Sequence, residues 1–343
     1  APIYVGVGGI QSVTKGLLSQ LQDSPGTFAL HPGTRVSGME RDGKKWRLVG
    51  EAGDAAYHDT SVSQFCAAGG VGHTHTPRPS SNYLGTSSAG YDAVILTDIS
   101  SSFESWHRAS AGVPPEFASL VRNRAGSRVP LFSAMVSFES PLPVEVDAIS
   151  LTDNPVLWFA ARSGSKPGIA QEEECWTLVS TPEYALAQIQ ETPMQDDDGN
   201  FLPQTPQYLT TIPGPHLEQA FREHVTSIIG EQQQQQLPQI NLPKTTYLNA
   251  QRWGSGIPSH RHLDESSPTR AVVSGVPYDV GRAPLAPTRV ENVRSGQTPD
   301  NFLYHEGFNL YQAGDMMSVY TPGFEGAALS GMDAATHLLR NLP

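Results

Sequence analysis

The chain is short of cysteine, of basic side chains and of long apolar runs, and each shortage excludes a class of protein. Two cysteines in 343 residues, Cys66 and Cys175, can neither staple a disulfide scaffold nor complete a cysteine-rich zinc site. Twenty-two Lys and Arg stand against 34 Asp and Glu, a net charge of −12. With no basic face to neutralise phosphates, nucleic acid is excluded as a partner. No apolar stretch approaches the roughly 20 residues needed to cross a bilayer, so no membrane partner is expected. There is no Gly-x-Ser-x-Gly nucleophile elbow, no catalytic signature around Cys175 and no internal repeat.

What is present points to a folded, loop-rich chain. Hydrophobic residues make up 38% of it, too many for disorder, and 32 glycines and 28 prolines break it into short elements. The length suits two domains. The chain starts at Ala1, inside apolar sequence and with no visible targeting peptide, which leaves a processed or truncated start open.

Ile10, Val13, Leu17 and Leu21 recur at helical spacing after Gly8-Gly9, predicting an amphipathic helix fed by a glycine turn. Thr34–Met39 and Lys45–Val49 read as strands around a turn at Asp42-Gly43. Residues 67–90 are an irregular insertion, and Tyr91–Thr97 is expected to close the meander as a buried strand. Further strands are read at Pro130–Phe138, Val156–Ala161 and Cys175–Ser180. Thr181-Pro182 opens a helix, and Leu217–Ile229 is a second, amphipathic one. The stretches 192–215 and 231–243 are rich in Pro and Gln, and a weak strand is read at 271–276. Phe302–Tyr304 and Leu310–Gln312 lead to a terminal helix over about 324–342.

Several motifs weaken on inspection. Val5-Gly6-Val7-Gly8-Gly9-Ile10-Gln11 offers two glycines of a dinucleotide fingerprint, but Gln11 stands where the third belongs, and no acidic residue closes a second strand about 20 residues on. His73 with His75, and His260 with His262, form His-x-His pairs in Gly/Ser/Pro loops, better read as solvated loop than as metal ligands. Asp196-Asp197-Asp198 opens like a calcium loop but lacks the terminal bidentate Glu. No metal site is expected.

The carboxy-terminal segment is more informative. Leu310-Tyr311-Gln312-Ala313-Gly314-Asp315 reads as a buried strand ending in Gly-Asp. Pro322-Gly323-Phe324-Glu325-Gly326-Ala327 then opens a helix with small residues on one face: Gly326, Ala327, Ser330, Gly331 and Ala334. The free N–H groups and partial positive charge of that helix start suit an anionic or electron-rich ligand edge.

Gly-Asp followed by x-Gly-Ala-x-x-Ser-Gly-x-x-Ala-Ala resembles the carboxy-terminal signature of the flavin amine oxidase superfamily, and the rest is most similar to its renalase-like branch. Gly9–Ser12, Arg35–Glu40, Lys45–Val49, Tyr91–Thr97, Asp153–Trp158, Thr177–Tyr184 and Gln251–Trp253 follow that order. The resemblance implies an α/β plus α+β chain: a Rossmann-type FAD/NAD(P)-binding domain from residues 1–100 and 256–343, and an antiparallel-sheet substrate domain at 101–255. It implies FAD as cofactor. Asp315, after Gly314, would meet the ribityl or pyrophosphate region; the backbone around Phe324, Glu325, Gly326 and Ala327 would face the flavin's pyrimidine edge. Val36 would lie where backbone groups hold adenine, and Thr97 where the crossover strand passes the cofactor. Trp158, Phe159, Trp253 and Tyr320 would wall the pocket of a small-molecule substrate, core packing being an equal reading for Trp253.

The departure is the missing first segment. Family members begin with Gly-x-Gly-x-x-Gly, a helix and an acidic ribose ligand, none of which is here, so this domain is expected to be incomplete at its N-terminus and the chain alone to bind FAD poorly. The implied chemistry is hydride transfer from a small amine or dihydronicotinamide-type substrate to flavin, with reoxidation by O2 or another acceptor and no side-chain acid or base. The alternatives are a flavin-free structural or binding protein and a metal-dependent hydrolase using the loop histidines. Low cysteine usage suits the cytoplasm or a plastid stroma; oligomeric state is left open.

Overall fold

The computed structural model describes residues 7–9, 11–22, 28–31, 34–52, 90–102, 111–125, 128–169, 174–193, 204–233, 241–258, 270–273, 276–279, 301–318 and 323–342. These divide into two compact units, one of residues 1–31, 130–192 and 204–254, the other of 32–129, 193–203 and 255–343. The architecture is mixed α/β with predominantly antiparallel sheets.

The first unit is built on a five-stranded sheet, ordered β5 (Ala148–Ser150), β6 (Leu157–Arg162), β7 (Glu174–Ser180), β4 (Arg128–Phe138) and β8 (Thr245–Pro258). Strand β7 shows why it forms: Trp176, Leu178 and Ser180 are buried while Cys175, Thr177 and Val179 alternate with them, the period of two of a sheet covered on one side. Asn154 starts β6, its Oδ1 accepting from the amides of Val156 and Leu157. Helix α3 (Pro182–Glu191) begins as read, with Thr181 as N-cap accepting from Tyr184 N and proline in the first turn.

Helix α4 (Pro206–Thr211) and helix α5 (Pro213–Gln233) follow, α5 containing the expected Leu217–Ile229 helix and both reaching into the Pro/Gln-rich stretches 192–215 and 231–243. Leu217, Phe221, Val225 and Ile229 of α5 are buried against the sheet, Phe221 lying 4.9 Å from the Trp176 ring. Helix α1 (Gln11–Gln22) forms after Gly8 and Gly9, both at positive φ, but Leu17 and Leu21 on its apolar face are exposed.

In the second unit, β1 (Thr34–Asp42) and β2 (Lys45–Ala52) make a hairpin whose turn places Gly43 at φ +60. Strand β3 (Val94–Leu96) corrects the expectation for Tyr91–Thr97. It is half-buried, not buried, because it is an edge strand. It pairs in parallel with β12 (Leu310–Gln312), and the Trp46–Tyr91 bridge and the Lys45–Asp92 ion pair tie its approach to the hairpin. Strand β11 (Leu303–His305) completes that three-stranded sheet, and β9 (Arg270–Val273) with β10 (Val276–Asp279) forms a separate hairpin.

A 3-10 turn at Ile99–Ser102 leads on to α2 (Pro115–Ala125), which buries Phe117 and Val121 against Met39, Trp46 and Leu310. The terminal helix α6 (Phe324–Asn341) packs its small face, Gly326, Ser330 and Ala334, onto Tyr311 and Ala313. Close approach does not explain Gly331: a Cβ there would meet nothing within 4 Å. Among the described residues no helix is long and apolar enough to cross a membrane.

Candidate functional site

All three residues of β12 are buried, because both faces of the strand are covered. Leu310 joins the cluster around Phe117, and Tyr311 packs with Phe302 and Ala334. Ala313 N donates to Leu96 O at 2.9 Å, extending the parallel pair. At the next residue the chain turns. Gly314 sits at φ +123, and a Cβ there would come within 3.4 Å of Thr97 O. Thr97 and Gly314-Asp315 therefore leave adjacent parallel strands side by side at their carboxyl ends, where open α/β sheets bind ligands.

The turn itself is closed by Met317 N and Ser318 N donating to Gly314 O. Asp315 is half-buried; its Oδ1 accepts from Met316 N at 2.9 Å, and its Oδ2 makes no hydrogen bond among the described residues. Helix α6 starts at Gly323, φ +125, with no side chain capping it and open space where a Cβ would stand. The first N–H groups of a helix have no intrahelical partner, so Phe324, Glu325 and Gly326 carry donors that the helix itself does not satisfy. Phe324 and Glu325 are exposed, Gly326 buried and Ala327 half-buried.

These residues fit the flavin end of FAD. A spare carboxylate oxygen can accept from a ribityl hydroxyl, and uncapped donors at a side-chain-free helix start can meet an electron-rich ring edge. Val36 lies in the same unit, exposed, beside a β-bulge that inserts Ser37 between the Val36–Gly50 and Gly38–Val49 pairs. Bulges open the ladder locally and are over-represented at ligand sites.

Behind β12, Tyr304 stacks on Tyr311 at 4.5 Å and Tyr311 OH pairs with His337 Nδ1 at 3.1 Å. Burial, with Tyr304 adding to it, pushes the Tyr311 phenol up to about 12. In the other unit, burial likewise raises Tyr184, whose hydroxyl meets His216 Nδ1 at 2.8 Å.

The first unit brings two of the four expected pocket aromatics, Phe159 and Trp253, onto one sheet face. Phe159, Val179 and Ser133 lie in register across β6, β7 and β4, and Trp253 Nε1 of β8 donates to Ser133 Oγ. Ala161, Thr177 and Met135 form the next row. Phe159, Met135 and Trp253 are exposed, Trp253 by 50%, which sets aside core packing for it. Among the described residues no charged side chain stands on this face of the five strands. Trp158 is half-buried and displaced from those rows by the irregularity between Leu157 and Phe159.

Val36, Thr97, Gly314, Asp315 and Phe324–Ala327 thus share one unit, while Trp158, Phe159 and Trp253 belong to the other. Tyr320, both His-x-His pairs, Cys66 and Asp196–Asp198 lie outside the described residues. Among the described residues no group of three His, Cys, Asp or Glu side chains is placed to hold a metal ion. Sequence reasoning missed Ser133 and Met135 on the open face, although their alternation with buried Phe132, Ala134 and Val136 is the signal that would have found them.

No family model and no curated protein matches the chain. Similar solved structures include one from Exiguobacterium sp. 255-15 named as a protoporphyrinogen oxidase, 13% identical with a TM-score of 0.40 over 95% of this chain and 51% of that one. Another is an oxidoreductase from Methanosarcina mazei, 10% identical with a TM-score of 0.40 over 96% of this chain and 55% of that one. The chain spans about half the length of each. Likeness at this level assigns neither fold nor activity.

Proposed function

We propose that the chain is an FAD-dependent oxidoreductase of renalase or amine-oxidase type, acting on a small amine or dihydronicotinamide-type substrate. In this reading residues 1–100 and 256–343 serve cofactor binding and 101–255 serve the substrate. The observation that carries it is the placement of Thr97 and Gly314-Asp315 at the carboxyl ends of two parallel neighbours, beside a turn hydrogen-bonded to the uncapped helix α6.

FAD, when bound, supplies the hydride acceptor and passes the electrons to O2 or another acceptor. Asp315 Oδ2 would accept from a ribityl hydroxyl and set the register of the ring system. The N–H groups of Phe324, Glu325 and Gly326 would stabilise the negative charge that develops on the pyrimidine edge, as fixed dipoles that need no reorganisation. The rows of Phe159 and Met135 with Trp253 would hold a flat substrate face. No side chain of the chain has to transfer a proton.

The test is the protein expressed from its complete gene. The visible absorbance of an oxidised flavin on the purified protein, bleached anaerobically by an amine or a dihydronicotinamide, supports the reading and separates the two substrates. A colourless protein indifferent to added FAD overturns it in favour of a flavin-free binding or structural role.

A further inference from the structure

We propose that Ser330 is the positioning residue that locks the Gly314–Ser318 turn to the start of α6, so that two separate chain segments present one cofactor surface; this rests on the flavin reading above. The geometry is specific. Ser330 is fully buried on α6, its Oγ accepting from Gly314 N at 3.0 Å and donating to Asn301 O at 2.7 Å. Asn301, also buried, accepts from Ser318 Oγ at 3.0 Å and donates to Asp333 Oδ2 at 3.1 Å.

Both ends of the turn are therefore pinned to α6, Gly314 through Ser330 and Ser318 through Asn301 to Asp333. The ligand-facing donors at Phe324–Gly326 lie on the same helix, about 6–9 Å along its axis from Ser330 at roughly 1.5 Å per residue. Among the described residues Asp315 has no other tie to that helix start: its one hydrogen bond there is to its own neighbour, Met316. Without the Ser330 hydroxyl, Gly314 N is left half-buried and without this partner, and the turn gains freedom to move Asp315 relative to the helix. A ligand that bridges the two segments must then supply the ordering that the hydroxyl supplied beforehand.

The experiment titrates the full-length protein, stripped of cofactor, with FAD, following flavin fluorescence and the visible circular dichroism of the bound flavin. It compares wild type, Ser330→Ala, Ser330→Thr and, as a control, Ala334→Gly. The control loosens the same helix one turn on, at a fully buried position with no bond to the turn. Ser330→Ala is expected to raise the FAD dissociation constant about tenfold, the size of one net hydrogen bond, and to change the dichroism at saturation. Ser330→Thr, which keeps the hydroxyl, should restore both. Ala334→Gly should lower the melting temperature at least as much while leaving affinity within about twofold. Wild-type affinity in Ser330→Ala, or an equal loss in Ala334→Gly, overturns the positioning role alone. Failure of the wild type to bind overturns the flavin reading and the positioning role together.

Discussion

Trp253 Nε1 donates to Ser133 Oγ at 2.9 Å, tying the indole of β8 to the row that also carries Val179 and Phe159. The ring is half exposed, so this bond orients it without burying it. If the face binds substrate, Trp253→Ala should raise KM about tenfold with a smaller fall in kcat, since it removes binding common to ground and transition states. The melting temperature should move little, because no core volume is lost. A fall in stability with unchanged KM would mark Trp253 as structural.

Glu174 makes a contrasting case of polar burial in the same sheet. Its Oε1 accepts from Trp176 Nε1 at 2.9 Å and forms an ion pair with Arg162, 3.1 Å from its Nε, with the guanidinium 5.1 Å from the Trp176 ring. The carboxylate is almost wholly buried, so removing it leaves the indole donor unpaired and takes the closer of two carboxylates from a largely buried guanidinium. Glu174→Ala should cost roughly 3 kcal/mol in urea unfolding, the range for breaking one side of a buried pair. Replacing Asp147, the exposed partner of the same Arg162 at 3.9 Å, should cost under about 1 kcal/mol.

Much of this sheet was legible in the sequence, for identifiable reasons. Strand β7 alternates cleanly, α5 repeats apolar residues at helical spacing, and Thr181-Pro182 is an N-cap with proline in the first turn. Strand β8 escaped because Thr245–Pro258 buries an arginine, Arg252, where alternation predicts an apolar residue. Helix α2 escaped because only Phe117, Ala118, Val121 and Ala125 mark its buried stripe, among charged neighbours. At the candidate site, Gly314-Asp315 and the small face of α6 were visible as a motif. The bonds that join them were not: Ser330 meets Gly314 across 16 residues and Asn301 across 29, contacts that only tertiary packing creates.

Asp315 carries the cofactor side of the proposal. Asp315→Ala removes the oxygen left over after Met316 N is satisfied, and should weaken FAD retention through gel filtration far more than His73→Ala, a change in a Gly/Ser/Pro loop. Asp315→Asn keeps one carbonyl oxygen and should fall between them. Equal FAD occupancy in Asp315→Ala and His73→Ala would refute the assignment.

The buried phenols predict an alkaline limit to stability. Tyr311 titrates near 12 in the folded chain against 10 when unfolded, so the folded state holds its proton more tightly. That stabilisation is complete below pH 10 and is lost as pH rises from 10 through about 12; Tyr184, raised by burial, acts in the same direction. Tyr311→Phe should give up about 1 kcal/mol near neutrality with the His337 bond and show a shallower loss above pH 10, read by urea unfolding across that range. An unchanged slope would show that Tyr311 is not one of the groups responsible.

Two glycines at nearly the same backbone angle separate conformational strain from collision. Gly43, φ +60, turns the β1–β2 hairpin with nothing within 4 Å of the place a methyl would take, so Gly43→Ala meets only the left-handed penalty of about 1–2 kcal/mol. Gly112, φ +79, lies against β1, where Met39 N donates to Ala111 O at 2.9 Å, and a Cβ would fall 1.6 Å from Met39 O. Backbone cannot yield as a side chain can. Gly112→Ala must therefore break the Ala111–Met39 contact and push β1 away from Phe117 and Leu310, whose cluster Met39 shares. Its cost should exceed that of Gly43→Ala by several kcal/mol, enough to expose amides 39–46 to hydrogen exchange while the five-stranded sheet keeps its protection. Equal costs for the two substitutions would mean that β1 is not held against residues 111–112 in solution.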